Sequence, residues 1–215
     1  MMSRIILSLE TSSTMCSTAL IENNDILCCI EEPTYREHNE KLPSFITTTL
    51  DNSNKTINDI DALAVGIGPG SFTGLRIGLG FCKGMAYSKG LPIIPVPTML
   101  ALAYSLKDNE PENGILFSHS KKVFYQDFKW NNSMPSAMRK PVLKDIKEFQ
   151  GGEKLGFHSN CGKFFENMNS IKQVTPSARN IALLAYEFYD EWLIEKPYDL
   201  VSEYIAPFEI KSSAK

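Results

Sequence analysis

An α/β fold, in which a meander of strands gives way to helix-linked parallel strands, is what this sequence predicts, and three observations predict it. Short β-rich runs crowd into the first thirty residues, joined by polar turns. Ala62-Leu63-Ala64-Val65-Gly66-Ile67 is a near-continuous apolar run, the mark of a strand buried on both faces. Amphipathic stripes of helical period alternate with such runs from Asn39 onward.

Residues 5–9 form the first β-rich run. Thr11-Ser12-Ser13-Thr14 turns it into residues 17–21, and Asn23-Asn24-Asp25 turns that into residues 26–30, so two hairpin-linked strands follow the first. Across residues 39–50, Leu42, Phe45, Ile46 and Leu50 share one helical stripe, which confines Pro43 to the first turn or to a kink. Beyond the buried run, Leu75, Leu79, Cys82 and Ala86 mark a second helix that stops at Ser88-Lys89-Gly90, with Pro92 just after. Residues 91–96 give one more strand and residues 97–106 a third helix. The order β-β-β-α-β-α-β-α predicts one lobe over residues 1–106, its later strands extending the sheet in parallel.

Residues 107–114 have neither apolar period nor β-branched content and predict a boundary, with a smaller lobe over residues 107–215. In it, residues 115–117 and 123–128 predict paired strands, 141–150 a short helix and 153–157 another strand. Residues 178–194 predict a helix with Ile181, Leu184, Ala185, Phe188 and Trp192 on one face, Pro176 before it and Pro197 after.

Composition narrows the function. With 215 residues, 43% hydrophobic and 22% charged, the chain is an ordinary globular one, which excludes disorder, collagen and coiled coil. A formal net charge of -3 gives no broad attraction to phosphate backbones, so any RNA contact must be local or borrowed from a partner. The opening apolar run is broken by Glu10 and too short for a secretion signal, and no later run reaches the roughly 18 apolar residues of a membrane helix. A cytoplasmic protein with no membrane contact is expected. Five cysteines without a Cys-x-x-Cys, and three histidines, indicate neither a disulfide framework nor a structural zinc site.

The sharpest motif is Gly66-Ile67-Gly68-Pro69-Gly70-Ser71-Phe72-Thr73-Gly74-Leu75-Arg76, a glycine-rich turn from strand into helix. Such a turn can bring backbone N-H groups to a phosphate, although neither the Walker A pattern nor the dinucleotide fingerprint is met. Alternatively, Gly74 and Gly78, and again Gly80 and Gly84, stand one turn apart and let the helix pack closely against a neighbour. Glu10-Thr11-Ser12-Ser13 offers hydroxyls for a phosphate and a carboxylate for a metal, or simply a hydrogen-bonded hairpin loop. His38 lacks a second ligand one turn on, where Lys41 and Leu42 stand, so no metal is expected. His119 and His158 are expected as solvated loop residues and Lys121-Lys122 as a solvated turn.

Three segments together resemble the TsaB (YeaZ) family: Ile6-Leu7-Ser8-Leu9-Glu10-Thr11-Ser12-Ser13, Arg36-Glu37-His38 leading into Leu42-Pro43, and Gly66 through Gly78. The resemblance covers residues 5–105. It implies an actin-like ATPase (ASKHA) fold of two ribonuclease-H-like lobes, with mixed sheets flanked by helices. It further implies a noncatalytic scaffold in the formation of threonylcarbamoyladenosine at position 37 of tRNA. That scaffold is a paralogue of TsaD, which transfers the threonylcarbamoyl group from the adenylate supplied by TsaC.

The implied partner is a TsaD-type transferase, bound as a heterodimer through the first two helices, with His38, Leu42, Phe45, Ile46, Phe72, Leu75, Gly78, Leu79 and Cys82 at the interface. A TsaE-type ATPase is a further partner, a homodimer forms when the chain is alone, and tRNA is reached only indirectly. Glu10, Thr11, Ser12, Ser13, Gly68, Pro69, Gly70 and Ser71 are then vestigial phosphate loops. No cofactor is implied beyond weak ATP or ADP binding at the complex. The alternative within the same fold is a nucleotide-binding phosphotransferase or ATPase, which wants an Asp-x-Gly-x-Thr loop that the later half lacks. Departures from the family pattern include Glu10 for an aspartate, and Ser118-His119-Ser120 where relatives carry Asp-Ala-Arg.

Overall fold

The computed structural model describes residues 3–149, 155–164, 171–203 and 205. Ile5–Glu10 (β1), Met15–Glu22 (β2) and Asp25–Pro33 (β3) are an antiparallel meander. His38–Asn52 (α1), Ala62–Gly68 (β4), Phe72–Lys89 (α2), Ile93–Pro97 (β5) and Thr98–Tyr104 (α3) follow in the order expected. The sheet runs β3-β2-β1-β4-β5, with β4 parallel to both β1 and β5.

Alternation along β1 sorts two cores. Ile5, Leu7 and Leu9 join Leu63 and Val65 of β4 beneath α1 and α2, against Leu42, Leu79 and Cys82. Ile6 of β1 with Ala62 and Ala64 of β4 face the opposite side.

A second sheet is built from Asn113–His119 (β6), Lys122–Asn131 (β7), Met134–Ala137 (β8), Val142–Asp145 (β9), Phe157–Ser159 (β10) and Lys172–Gln173 (β11). Its order is β11-β10-β6-β7-β8, and β9 also pairs with β7. Ala178–Glu187 (α4) and Tyr189–Trp192 (α5) follow, and a 3-10 turn, Pro197–Asp199, comes after them. Together α3 and α4 fill the space between the sheets, so Met99, Leu102, Ala182 and Leu184 share one core with Leu116, Phe124, Phe128 and Phe157. Thus α4, late in the sequence, lies against β1 and β2. The far face of the second sheet carries its own small core around Ile115, Val123, Ile146 and Phe149. Among the described residues no helix is long and apolar enough to cross a membrane.

Four local expectations are corrected. Residues 142–149 form β9 and a 3-10 turn, Ile146–Phe149, rather than a helix; position 150 lies outside the described residues. Pairing with β7 claims the β-branched start of that segment, and one tight turn suffices to bury both Ile146 and Phe149. The next strand begins at Phe157 instead of 153; residues 153 and 154 lie outside the described residues. The late helix breaks at Phe188, whose ring stacks on Trp192 at 4.3 Å, because Ile194 turns extended and exchanges hydrogen bonds with Ile93 at the edge of β5. His158 lies on β10 and is buried, its pKa lowered by desolvation, and so is no solvated loop residue. Pro43 sits inside α1.

Two serines moor α4 to the first sheet. The Ala178 N-H donates to Ser17 Oγ at 2.9 Å, and Ser8 Oγ donates to the Ala178 carbonyl at 2.8 Å, both in buried surroundings. Ser17→Ala leaves that N-H without its acceptor, for an expected loss of about 1–3 kcal/mol. A lower urea midpoint with an unchanged slope is the measurement that checks it.

Candidate functional site

α2 is the most unusual element of the chain. Ser71 caps it by accepting from Gly74 N at 3.3 Å, and Gly90, at φ 67, ends it in the left-handed region that glycine adopts without strain. Its inner face is glycine where it crosses the β1–β2 loop. A Cβ on Gly74 would stand 2.0 Å from the Thr11 carbonyl oxygen, and one on Gly78 would stand 2.4 Å from Thr11 Oγ1. Thr11 Oγ1 in turn donates to the Gly74 carbonyl at 2.8 Å. Close packing within the chain is therefore what Gly74 and Gly78 serve.

Gly80 and Gly84 are different, because a Cβ at either position would meet nothing within 4 Å among the described residues. They open onto the outer face of α2, where Arg76, Ile77, Phe81, Met85 and Ser88 complete a shallow groove of about 570 Å³. Arg76 lies over the Phe72 ring at 5.3 Å from its centroid. The outer face of α1 is polar, carrying Asn39, Glu40, Ser44, Thr47 and Thr48.

The interface positions inferred from sequence divide accordingly. Leu42, Phe45, Ile46, Leu75, Gly78, Leu79, Cys82 and His38 are buried within the chain itself, and of that set Phe72, 41% exposed, points outward. An apolar stripe is the face a helix gives to its own sheet, which is why the stripe picked from sequence turns inward. The outward set is Ile77, Gly80, Phe81, Gly84 and Met85, a second stripe displaced around the helix; the Gly80 and Gly84 spacing was its one sequence signal. Leu75, at 1% exposure, is for the same reason no test of an interface, since a charge there would sit in the core.

The two loops named as phosphate loops are bound to each other. Ser71 N donates to the Ser12 carbonyl at 2.7 Å, and a Cβ on Gly70 would stand 2.5 Å from that oxygen. Gly68, at φ 115, donates its N-H to Thr98 Oγ1 at 3.1 Å, and Pro69 is buried beside it. Ser13 Oγ accepts from Met15 N at 3.0 Å. Glu10 is wholly buried: its Oε1 accepts from Ser12 N at 2.5 Å, and its Oε2 lies against Gly66, where a Cβ would stand 2.2 Å away. Burial pushes its pKa above the ordinary 4.5, against the opposing hydrogen bonds from Ser12 and Thr11. No group of three or more histidine, cysteine or carboxylate side chains placed to hold a metal occurs among the described residues.

Two expectations follow. Gly78→Ala drives a methyl into Thr11 and lowers the melting temperature, whereas Gly84→Ala enters open space and raises stability by about 0.5–1 kcal/mol, a contrast that thermal melts resolve. A carboxyl whose folded pKa is raised binds its proton more tightly in the folded state. Its contribution is present below the ordinary 4.5 and is lost as pH rises through the higher folded value. Unfolding free energy of the native chain should therefore fall relative to Glu10→Gln as pH increases above about 4.5, as parallel urea titrations would register.

Similarity to known proteins agrees with this geometry. The family model described as TsaD, tRNA N6-adenosine threonylcarbamoyltransferase, matches residues 31–129. A tRNA threonylcarbamoyladenosine biosynthesis protein TsaB from Haemophilus influenzae is 40% identical over 147 residues, 67% of this chain and 58% of that protein. The Escherichia coli TsaB is 39% identical over 98 residues, 46% of this chain and 42% of that protein, and the Buchnera aphidicola TsaB is 30% identical over 136 residues, 62% and 64%. The chain thus spans less than two thirds of the length of each of these relatives. Of solved structures, YeaZ from Pseudomonas aeruginosa superposes with a TM-score of 0.79 over 94% of this chain and 99% of that one, at 19% identity, which establishes the shared fold. With a fold of two mixed sheets shared with YeaZ, a glycine-rich second helix and TsaB relatives at 30–40% identity, the chain belongs to the TsaB (YeaZ) family.

Proposed function

We propose that this chain is a noncatalytic subunit in forming threonylcarbamoyladenosine at position 37 of tRNA, docking on a TsaD-type transferase through the outer face of α2. The observation that carries the reading is the pair Gly80 and Gly84. Each interior glycine costs a helix about 1 kcal/mol relative to alanine. No described residue of the chain uses the space these two leave, and they lie among Ile77, Phe81 and Met85 in an apolar groove. Small residues one turn apart let a second helix approach the backbone closely, and apolar neighbours supply the buried area.

In this role the polar outer face of α1 forms the rim of the contact rather than its anchor. Without the transferase, the same apolar face brings two copies of the chain together. A TsaE-type ATPase joins the assembly, tRNA is held through the transferase, and the docking role requires no cofactor of this chain's own. Its place is cytoplasmic. Glu10, wholly buried and held by the Ser12 N-H, favours this reading over a phosphotransferase that would use it at an open site.

The experiment is threonylcarbamoyladenosine formation on tRNA by purified TsaC, TsaD and TsaE, with and without this chain, read by mass spectrometry of digested tRNA. Modification is expected to require the chain. Full modification in its absence overturns the proposal. Gly84→Arg is expected to melt like the native chain yet to lose co-elution with the transferase and at least about tenfold in modification, the loss of roughly 1.4 kcal/mol of association; a folded variant that still co-elutes would place the contact elsewhere.

A further inference from the structure

The groove on the outer face of α2 has two unlike edges. One is apolar, with Ile77, Phe81 and Met85 at successive spacings of four. Along the other, Arg76, Lys83 and Tyr87 follow at spacings of seven and four, which sets them in one row beside Gly80 and Gly84. A distant segment joins that row. Tyr198, in the Pro197–Asp199 turn, sets its ring edge-on to Tyr87 with centroids 6.2 Å apart, and Lys83 Nζ donates to the Tyr198 carbonyl at 2.8 Å, across 115 residues of sequence.

Two properties of this edge are left incomplete by the chain. The first is aromatic area: Tyr87 is 78% and Tyr198 59% exposed although their rings are in contact. The second is charge. α2 carries Arg76, Lys83 and Lys89 and no aspartate or glutamate along its 18 residues, in a chain whose formal net charge is -3. Among the described residues none of the three cations is ion-paired with a carboxylate. Arg76 lies over the Phe72 ring, Lys83 reaches a carbonyl, and Lys89 reaches Asn58 Oδ1 at 2.9 Å.

We propose that Arg76, Lys83, Tyr87 and Tyr198 form a cationic and aromatic edge of the docking surface, and that it receives an acidic edge of the transferase: a helix whose apolar stripe is flanked by aspartate or glutamate. This partner chemistry rests on the docking role proposed above for α2. The apolar groove supplies buried area, Tyr87 and Tyr198 supply rigid anchors of the residue type that dominates interfaces, and the cations steer and orient the approaching helix. A second copy is the poorer occupant, because its own α2 brings the same cations and no carboxylate. The Pro197–Asp199 turn, fixed on α2 through Lys83, thereby makes a segment near the end of the chain part of the contact.

The test is calorimetric titration of the full chain with the purified transferase in about 0.05 M and again in about 0.5 M sodium chloride, which shortens the screening length from roughly 14 Å to roughly 4 Å. Affinity is expected to fall about tenfold or more across that range. At low salt Arg76→Glu weakens binding about fivefold or more and Lys83→Met weakens it less, both differences shrinking at high salt. Lys140→Glu, the same reversal on an exposed lysine of the second lobe, stays within about twofold of the native chain. Tyr198→Ala weakens binding about tenfold at both salts. Arg76 and Tyr198 are exposed and Lys83→Met keeps the apolar stem, so these variants are expected to melt close to the native chain. Binding unchanged by salt, or unchanged by all of Arg76→Glu, Lys83→Met and Tyr198→Ala, overturns this edge and leaves the docking role standing. No association at either salt overturns the docking role and the edge with it. Self-association as tight as the complex and weakened by the same substitutions assigns the edge to a second copy and overturns the choice of partner.

Discussion

The contact on which the rest of the first lobe depends is Thr11 against the glycines of α2. A side chain at Gly74 or Gly78 would overlap Thr11 atoms at 2.0 and 2.4 Å, so the helix can reach this depth on the sheet only as glycine. That depth carries Leu75, Leu79 and Cys82 into the core shared by β1 and β4. It also fixes the β1–β2 loop beneath the start of α2, through Ser71 N and the Ser12 carbonyl. The groove inherits its position from this one close approach, since it is the far side of the same helix.

The helix layer of α3 and α4 does comparable service between the sheets. Neither sheet can leave an apolar face in water, and α3 alone is too short to cover both. The chain meets this by returning late: α4 comes back against β1 and β2, and its first residue, Ala178, is bonded through its N-H to Ser17 and through its carbonyl to Ser8. Its other side, with Leu184 and Ala185, joins Phe124, Phe128 and Phe157 of the second sheet in a single core. Strand-internal serines at 0% exposure would be liabilities elsewhere; here Ser17 accepts the free N-H at the start of α4, and the Ser8 hydroxyl is satisfied by the Ala178 and Ala19 carbonyls.

Helix α2 thus has two faces of different meaning. Where its glycines meet Thr11 they are a packing device complete within the chain. Where they face outward they leave bare backbone among Ile77, Phe81 and Met85, a cost in helix stability that no described residue of the chain offsets.

Strand and helix order through Tyr104 was legible because each element there satisfies a local rule. The meander is turned by Asn and Ser clusters, the β4 run is apolar throughout, and Gly90 ends α2. The second lobe was legible where hairpin pairing is local, as in β6 and β7, and obscure where partners are distant. Segment 142–149 has helical spacing but is held as a strand by β7; α4 is interrupted because Ile194 finds the open edge of β5. The glycine motif announced a close approach without saying to what. Whether a helical residue turns inward or outward depends on which stripe the sheet claims, and that is settled by packing of residues sixty apart, Thr11 on Gly74 and Gly78, rather than by periodicity. By itself, then, the sequence determined the elements of the first lobe and the family motif. Only the tertiary structure decided that Leu75 and Cys82 belong to the core and that Gly80 and Gly84 belong to the surface, because each depends on non-local contacts that no window of neighbouring residues contains.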